Sequence, residues 1–437
     1  MNNTNQGIMT LLGEHIQTQK GFAFKSQWYS DCGTPIVKVS EFTDDSIDTL
    51  NLTCIPDDIA VSYMKYKLRT GDTIIQTVGS WPRNPNSVVG KVIKVPSKAS
   101  GALLNQNAVK ISPAKTLDRS FIFYLLKSNI FKDFIIGCAQ GAANQASITL
   151  DDIRNFSFWL PPLPTQRKIA SILSAYDDLI ENNTRRIKIL EEMAQALYRE
   201  WFVKFRFPGH EKVGMVESEL GMVPEGWEVK RLGDVVTLHR GKSYRTPDLV
   251  DEGRIPFLNL KCIERGGGFR YDGVKRFQGE YKPTQTAKTG DIIVAVTDMT
   301  QERRLVAHAA RVHIIGNDFA VMSMDLVKIE PIKEGSKDYL HGVLRFSDFS
   351  QEVRQHANGV NVLHLNPSQI QEFKFALPPT ELRNLYAELC ASAYQECDVL
   401  HTKNANLRRT RDLLLPKLIS GEVDVEMLDI NIPTEAL

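Results

Sequence analysis

The sequence has few cysteines, and none of them is spaced as a metal ligand. Six cysteines occur among 437 residues, and the closest two, Cys390 and Cys397, are seven positions apart. A CxxC zinc framework is therefore excluded, and nothing indicates a set of disulfide bonds. We expect a reduced, cytoplasmic protein that holds no metal.

Long hydrophobic runs are missing as well. The longest apolar stretches, such as DIIVAV at residues 291–296, have the length of buried strands and are too short to cross a bilayer. The first residues, MNNTNQGIMTLLGEH, contain no basic segment followed by an apolar core. We expect neither a membrane span nor a signal peptide.

Charge of one sign does not dominate, since the formal net charge is only +1. Two stretches are mildly basic: Lys20–Lys115 has twelve Lys and Arg against eight Asp and Glu, and Lys230–Arg311 has sixteen against ten. A local excess of this kind suits contact with phosphate groups, although an ordinary scatter of surface charge explains it too.

Catalytic motifs are absent from the sequence. It contains no HExxH or GxSxG, and neither Pro-Pro pair follows the Asn or Asp that an adenine methyltransferase motif requires. The stretch RGKSY at Arg240 ends like a phosphate-binding loop, but Val236 stands where that loop needs a glycine. We expect a non-catalytic protein.

What the sequence does contain is an internal duplication of domain size. LPPLPTQRKIASIL at Leu160 is answered by LPPTELRNLYAELC at Leu377, 217 residues later. LLGEHIQTQKG at Leu11 matches RLGDVVTLHRG at Arg231, and in both a basic residue precedes the last glycine. Because such matches stay in order with nearly constant offsets, we infer two homologous halves, each a domain followed by a helix.

A long heptad pattern follows each domain. One runs from Thr165 to about Phe205 and the other from Thr380 to about Leu415, with apolar residues recurring at spacings of three and four. Sustained heptads predict a coiled coil, which Asn183 and Asn404 interrupt. Each of these residues either lies in the helix interface and fixes its register, or faces solvent at an edge.

The domains are predicted to be compact and of the α+β class, because short β-branched runs such as TPIVKV alternate with helical stretches such as DRSFIFYLLK. The connector near residues 208–227 has the composition of a loop and would return along a helix of about 40 residues only if nearly extended. We therefore predict two homologous domains joined by two long helices in an antiparallel coiled coil with pseudo-twofold symmetry. Two similar domains on a rigid rod favour bipartite reading of duplex DNA.

Three further segments carry a family resemblance. Together with the Leu-Pro-Pro repeats, ALYREWFVKFRFPG, LGMVPEGWEVKRLGDV and LLPKLISGEVDV resemble the specificity (S) subunit of type I restriction-modification systems, over nearly the whole chain. The resemblance implies a target-recognition domain at residues 1–160, a central helix at 161–207, a linker at 208–226, a second target-recognition domain at 227–376, a distal helix at 377–421 and a tail at 422–437.

The resemblance also implies the function. Each target-recognition domain would read one half of an asymmetric site in double-stranded DNA, and the helices would set the spacer and dock two methyltransferase (M) subunits. S-adenosylmethionine, ATP and Mg are then expected in the M subunits and in restriction (R) subunits, and no cofactor in this chain. A coiled-coil scaffold that does not bind DNA, and the specificity subunit of a methylation-only complex, stay open as alternatives.

Candidate DNA contacts lie in polar and basic loops near strand ends. Arg, Asn and Gln carry the paired donors and acceptors that read base edges, and Lys and Arg bind phosphates. The first-domain candidates are Lys20, Gln76, Trp81, Arg83, Asn84, Asn86, Gln140 and Asn144. The second-domain candidates are Arg240, Lys242, Arg245, Thr300, Gln301, Arg303, Arg304 and Asn361. Polar turns that merely bend the chain are the alternative reading.

An apolar cluster ends the first helix. It consists of Met193, Trp201, Phe202, Phe205 and Phe207. These side chains either pack against the next domain and the second helix or form a docking surface for a partner subunit.

Overall fold

Short strands and helices alternate along the chain, as expected of an α+β protein. The computed structural model describes residues 7–43, 46–81, 88–142, 145–332 and 337–432. The strands are β1 Ile8–Leu11, β2 Ile16–Lys20, β3 Thr34–Val37, β4 Cys54–Ile55, β5 Thr73–Gln76, β6 Val78–Gly79, β7 Val92–Lys94, β8 Leu103–Leu104, β9 Ala108–Pro113, β10 Gln140–Ala142, β11 Gln145–Ser147, β12 Ser157–Leu160, β13 Met215–Ser218, β14 Gly221–Pro224, β15 Glu228–Arg231, β16 Val236–Arg240, β17 Leu249–Val250, β18 Ile255–Leu258, β19 Lys275–Phe277, β20 Thr286–Ala287, β21 Ile292–Ala295, β22 Thr297–Asp298, β23 Ala309–Arg311, β24 Ala320–Met322, β25 Leu326–Pro331, β26 Leu363–His364 and β27 Lys374–Leu377. The α-helices are α1 Asp57–Ala60, α2 Arg119–Lys127, α3 Asn129–Cys138, α4 Leu150–Arg154, α5 Leu163–Tyr198, α6 Lys337–Phe346, α7 Phe349–Val353, α8 Pro367–Gln371 and α9 Thr380–Ile419.

The chain divides into two compact units. The first unit is Met1–Ile180 with Leu407–Leu437, and the second unit is Glu181–Asn406. Each unit therefore holds one domain and a stretch of both long helices, α5 and α9.

The first unit is built on a four-stranded antiparallel sheet in the order β2-β9-β5-β7. Strand β5 is buried along its whole length, and its Ile75 lies opposite Val109 of β9. Helix α2 packs its buried residues against this sheet, and Asp118 caps the helix by accepting hydrogen bonds from the backbone of Ser120 and Phe121. Strand β1 pairs with β12, which brings the two ends of the domain together.

The second unit repeats this topology. Its sheet runs β16-β25-β21-β23, and β15 pairs with β27 as β1 does with β12. Val236 lies opposite Pro331 in the register that Ile16 and Pro113 adopt in the first unit. The equal strand order confirms the duplication predicted from the sequence.

The repeated basic-Gly pair has a physical reason in both units. A Cβ atom on Gly21 would lie 2.0 Å from the carbonyl oxygen of Asn105, and one on Gly241 would lie 2.1 Å from that of Ser323. The chain leaves strands β2 and β16 so close to a neighbouring backbone that only glycine fits. The preceding basic residues, Lys20 and Arg240, are thereby held at equivalent exposed strand ends.

The long helices α5 and α9 run antiparallel in the second unit and are in contact in the first. In the second unit Asn183 donates to Asn404 at 2.9 Å, and the Tyr386 hydroxyl donates to the carbonyl of Ala194 at 3.3 Å, so residue numbers run in opposite directions. In the first unit Asp177 of α5 pairs with Arg411 of α9. The two contacts of the second unit confirm the antiparallel prediction there.

The two interrupting asparagines lie in the helix interface. Asn404 is buried and also donates to the Thr184 hydroxyl at 3.3 Å. Of the two interpretations of Asn183 and Asn404, the interface position is therefore correct. A hydrogen-bonded polar pair of this kind favours one register over its neighbours.

Most of the apolar cluster at the end of the first helix is packed inside the second unit. A π-helical turn, Arg199–Val203, continues α5 and directs Trp201 and Phe202 inward. The Phe202 ring lies 5.2 Å from that of Tyr386 and 5.0 Å from that of Tyr339. Met193 is the exception, since it is exposed. The packing interpretation thus holds for the aromatic members and not for Met193.

The connector after the first helix is a β-hairpin, which corrects the loop predicted there. Strands β13 and β14 pair from Met215 opposite Pro224 to Ser218 opposite Gly221. Gly221 has a φ of +89°, the left-handed conformation that a tight reversal needs and that glycine adopts without strain. Gly221, which was expected in a loop, therefore closes a hairpin.

Candidate DNA-recognition surfaces

A small three-stranded sheet, β10-β11-β6, carries two of the first-domain candidates. Gln140 opens β10 and is exposed. Trp81 follows β6, and its indole nitrogen donates to the carbonyl of Ala142 at 2.9 Å. The structure therefore brings Trp81 and Gln140 into one surface, although 59 residues separate them. Arg83, Asn84, Asn86 and Asn144 lie outside the described residues.

Gln76 is not part of this surface, which corrects its assignment as a base-reading residue. It ends β5 with only 1% of its side chain exposed. Its amide nitrogen donates to the carbonyl of Val78 at 2.9 Å. Because a base edge cannot reach a buried side chain whose donor bonds the backbone, Gln76 supports the loop from inside.

Four aromatic side chains lie close together in the same domain, beyond Lys20. They are Phe22, Trp28, Tyr63 and Tyr66, and we name this group the aromatic surface. Tyr63 is at its centre, with its ring centroid 4.5 Å from Phe22, 5.8 Å from Trp28 and 6.4 Å from Tyr66. All four side chains are partly exposed.

Lysines accompany this aromatic surface. The Lys25 ammonium lies 5.3 Å from the centroid of Trp28, and the Lys65 ammonium lies 4.9 Å from that of Tyr66. Cations beside partly exposed rings suit contact with phosphates and with the faces of sugars or bases. Sequence reasoning missed these residues, and the signal available was the alternation of Lys with aromatic residues in KGFAFKSQW and YMKYK.

In the second domain a buried carboxylate organises the candidate loop. Asp298 is fully buried and accepts hydrogen bonds from the backbone of Leu305 at 2.6 Å and Thr300 at 2.9 Å. The hydroxyl of Thr300 also donates to it, at 2.9 Å. Burial alone opposes ionisation of Asp298, but these hydrogen bonds outweigh it and lower the pKa of the carboxyl. The loop is therefore held by hydrogen bonds to a buried carboxylate that favours its ionised form.

The same loop meets a second one near the end of the domain. The Gln301 amide donates to the carbonyl of Val360 at 2.7 Å, beside the exposed Asn361. Arg303 donates to the carbonyl of Ala357 at 3.3 Å and takes a φ of +52°, which only a well-supported non-glycine residue adopts. The structure thus gathers Thr300, Gln301, Arg303 and Asn361 into one surface.

The other second-domain candidates are exposed or partly exposed near strand ends. Arg304 pairs with Glu302 at 2.6 Å. Arg240 donates to the carbonyl of Met324 at 3.3 Å, and the backbone of Lys242 donates to that of Met322 at 2.7 Å. Arg245 is exposed, and its backbone donates to Asp248. These side chains carry positive charge at or near the surface. In the described part of the chain, no buried carboxylate bonds to all of them as Asp298 bonds to its loop.

The helix pair of the second unit exposes a separate apolar face. Arg186 of α5 pairs with Glu396 of α9 at 2.8 Å. Met193 lies seven residues after Arg186 and Leu389 seven before Glu396, so both share the face that this ion pair marks. The apolar helix face consists of side chains that are each at least 40% exposed: Ile189, Met193, Val203, Leu385, Leu389 and Val399.

A match to a protein-family model identifies the kind of protein that carries these surfaces. The model of the type I restriction modification DNA specificity domain matches residues 11–192 and again residues 224–389. The chain belongs to this family. It is therefore a specificity (S) subunit of the type I restriction-modification class, and its function is DNA sequence specificity.

Individual relatives agree with the family match. The type I restriction enzyme MjaIX specificity subunit of Methanocaldococcus jannaschii is 27% identical over 333 residues, covering 74% of this chain and 73% of the relative. The putative MjaX specificity subunit of the same organism is 23% identical over 398 residues, covering 90% and 88%. The crystal structure of an S subunit from M. genitalium has the same fold, with a TM-score of 0.53 at 16% identity over 96% of this chain and 97% of the other.

The described part of the S subunit shows neither a metal site nor a membrane span. Among the residues with described positions, no group of three or more His, Cys, Asp or Glu is placed to hold a metal ion. No helix in that part of the chain is both long enough and apolar enough to cross a membrane.

Proposed function

We propose that the two domains of this S subunit read the two halves of a bipartite DNA site, while α5 and α9 set the spacing and dock M subunits. The observation that carries the proposal is the repetition of one topology with different loop chemistry. The first domain presents Trp81 and Gln140 beside β6, and the second presents Gln301, Arg303 and Asn361 beside the equivalent β22. Equal frameworks with unequal polar side chains suit two different half-sites.

The aromatic surface and the basic strand ends add contacts to the phosphate backbone. Lys20 and Arg240 occupy equivalent positions at the ends of β2 and β16. Phosphate contacts supply affinity and register, whereas the loop residues supply sequence discrimination. We propose S-adenosylmethionine, ATP and Mg as cofactors of the M and R subunits, with no cofactor bound by this chain.

Exchanging one domain is expected to change one half of the recognised sequence. Residues 230–370 would be replaced by those of another S subunit, and the methylated sites would be mapped by methylome sequencing of cells that carry the complex. Exchange of residues 11–150 is the matched control and should change the other half. A change in both halves, or in neither, would contradict modular reading by two domains.

The apolar helix face is the proposed docking site for an M subunit. Exposed apolar side chains on a helix pair indicate an interface, because a solvated helix face is normally polar. Leu389→Asp is expected to weaken binding of an M subunit at least about tenfold, because docking would bury an unpaired carboxylate. Binding is measured by titration of the purified S subunit with its M subunit.

Val360→Asp provides the matched control for this experiment. Val360 is even more exposed than Leu389 but lies in a recognition loop of the domain. It should retain binding of the M subunit and affect only DNA recognition. Equal losses for both variants would rule out a docking site confined to the helices.

We propose that restriction (R) subunits also join the complex. An R subunit joining the complex would make cells restrict unmethylated phage DNA, and a methylation-only complex would not. A plaque assay that compares methylated with unmethylated phage therefore separates these alternatives.

A further inference from the structure

The segment that follows α9 lies back along the start of α5, inside the first unit. We name residues 421–432 the strap. Gly421 ends the helix with a φ of +76°, and the chain then turns past Trp159. Val425 of the strap is buried in the core of the first unit, with Val423 and Ile430 packed at its edge.

Side chains of α5 hold the strap by its backbone. The Lys168 ammonium donates to the carbonyls of Glu426 at 2.6 Å and Leu428 at 2.9 Å, and the Ser171 hydroxyl donates to that of Asn431 at 3.0 Å. These bonds fix the strap backbone without using its side chains. The strap is therefore an ordered part of the surface.

The strap covers positions whose counterparts in the second unit belong to the apolar helix face. Counting from the repeated Leu-Pro-Pro, Lys168 corresponds to Leu385 and Ile172 to Leu389. Both leucines are exposed in the second unit. In the first unit the polar Lys168 is bonded to the strap, and Ile172 is partly buried.

The strap itself presents apolar side chains at this place. Met427 is 93% exposed, and Leu428 and Ile432 are also exposed. On the helices of the same unit, Leu179 lies two heptads before Met193 and Leu413 two heptads after Val399, and both leucines are exposed. In the first unit two exposed leucines of the helices therefore accompany the exposed apolar side chains of the strap.

Two leucines are too few for a specific interface, which buries about 800 Å² on each partner and involves roughly 20–30 residues a side. We propose that the strap completes a second docking face, on the first unit, for another copy of the M subunit. Methionine adapts its shape to a partner surface, and the fixed backbone lowers the entropic cost of docking. The inference rests on the proposed function of the apolar helix face.

Met427→Asp in the full-length chain tests the strap directly. The M subunit is titrated against it, and the number of bound copies is counted by native mass spectrometry. The second copy is expected to bind about tenfold more weakly or worse, while the first copy binds as before. Because Met427 is 93% exposed, its replacement leaves the fold intact. Leu50→Asp is the matched control, since Leu50 is 84% exposed in the same unit but lies on the domain, and it should bind two copies normally.

Lys168→Met gives a second, independent readout. It removes the ammonium that bonds Glu426 and Leu428 but keeps the length of the side chain. Hydrogen exchange in the strap should become faster, and the second copy should again bind more weakly. If Met427→Asp and Lys168→Met leave binding unchanged or tighten it while Leu389→Asp weakens the first copy, the strap is no docking element and this inference is wrong. If Leu389→Asp also has no effect, the helix-docking part of the proposed function fails with it.

Discussion

Replacing Arg411 by alanine is expected to lower the free energy of unfolding of the first unit by about 2–4 kcal/mol. The Arg411 side chain is buried, and its guanidinium lies 2.5 Å from Asp177. The other oxygen of Asp177 accepts a hydrogen bond from the Tyr124 hydroxyl at 2.7 Å. The three side chains come from α9, α5 and α2, so the network ties the domain to both helices.

The size of this loss of stability depends on the charge of Asp177, which the alanine variant leaves without Arg411. Breaking a buried ion pair typically costs about 3–5 kcal/mol, because the remaining charge stays buried without a partner. The Asp177 side chain is 29% exposed, so water compensates part of the loss and the lower range applies. The change is measured by urea denaturation, with hydrogen exchange in α2 used to assign the transition to the first unit.

An exposed ion pair provides the control for Arg411. Asp151 and Arg154 form an i,i+3 pair on α4 of the first unit, and the Asp151 side chain is 80% exposed. Asp151→Ala should lower the stability of the first unit by less than about 1 kcal/mol. If Arg411→Ala costs no more than Asp151→Ala, the buried network does not stabilise the first unit. Asp177→Asn combined with Arg411→Met removes both charges, and it should recover part of the loss.

The helices could be predicted from the sequence almost to their ends, because the heptad period is a local property. Helix α5 begins two residues before the predicted Thr165, since proline is tolerated in the first turn of a helix. Helix α9 extends past the predicted end at Leu415 and contains Pro416. This proline removes only one backbone donor near the terminus, and the next turn still closes with Ser420 bonded to its carbonyl at 3.0 Å.

The recognition surfaces could be predicted only in part. The ends of β5 and β21 could be placed from the sequence, because polar and turn residues follow both strands. Which side chains point outward was not predictable: Gln76 ends a strand that is buried on both faces, so alternation gave no warning. The aromatic surface joins Phe22 to Tyr63, and such a contact between distant segments leaves no periodic trace in the sequence.

Acidification below pH 6.5 is expected to destabilise the second unit through two buried histidines. Burial lowers the pKa of His341 to about 3 and that of His308 to about 4, and the positive charge of Arg345 adds to the effect at both. The unfolded chain takes up these protons near pH 6.5, whereas the folded chain does not. The two histidines therefore cost stability progressively as the pH falls from 6.5 to about 4, by about 1.4 kcal/mol per pH unit each.

His341 is the better residue for testing this prediction, because it has the lower pKa of the two and contacts both Tyr394 and Phe346. Its Nδ1 lies 3.0 Å from the Tyr394 hydroxyl on α9, and its ring lies 5.6 Å from that of Phe346. Arg311 and Arg345 are the positive charges that act on it. His341→Asn keeps a polar group near Tyr394 but cannot take up a proton, so the stability of this variant should fall less steeply with pH. The expected difference in slope is about 1.4 kcal/mol per pH unit between pH 6.5 and 4.

Comparing how the stability of the two chains changes with pH also separates the histidine effect from that of a nearby carboxyl group. The carboxyl group changes stability with pH in the opposite direction. Burial raises the pKa of the partly buried Asp338, and a carboxyl with a raised pKa returns stability as the pH falls through that value. Asp338 is the same in the wild-type chain and in His341→Asn, so its contribution cancels in the difference. If the curve of His341→Asn is parallel to that of the wild type, the buried imidazole is not the source of acid sensitivity, and the link between α6 and α9 tolerates a charge that burial is expected to exclude.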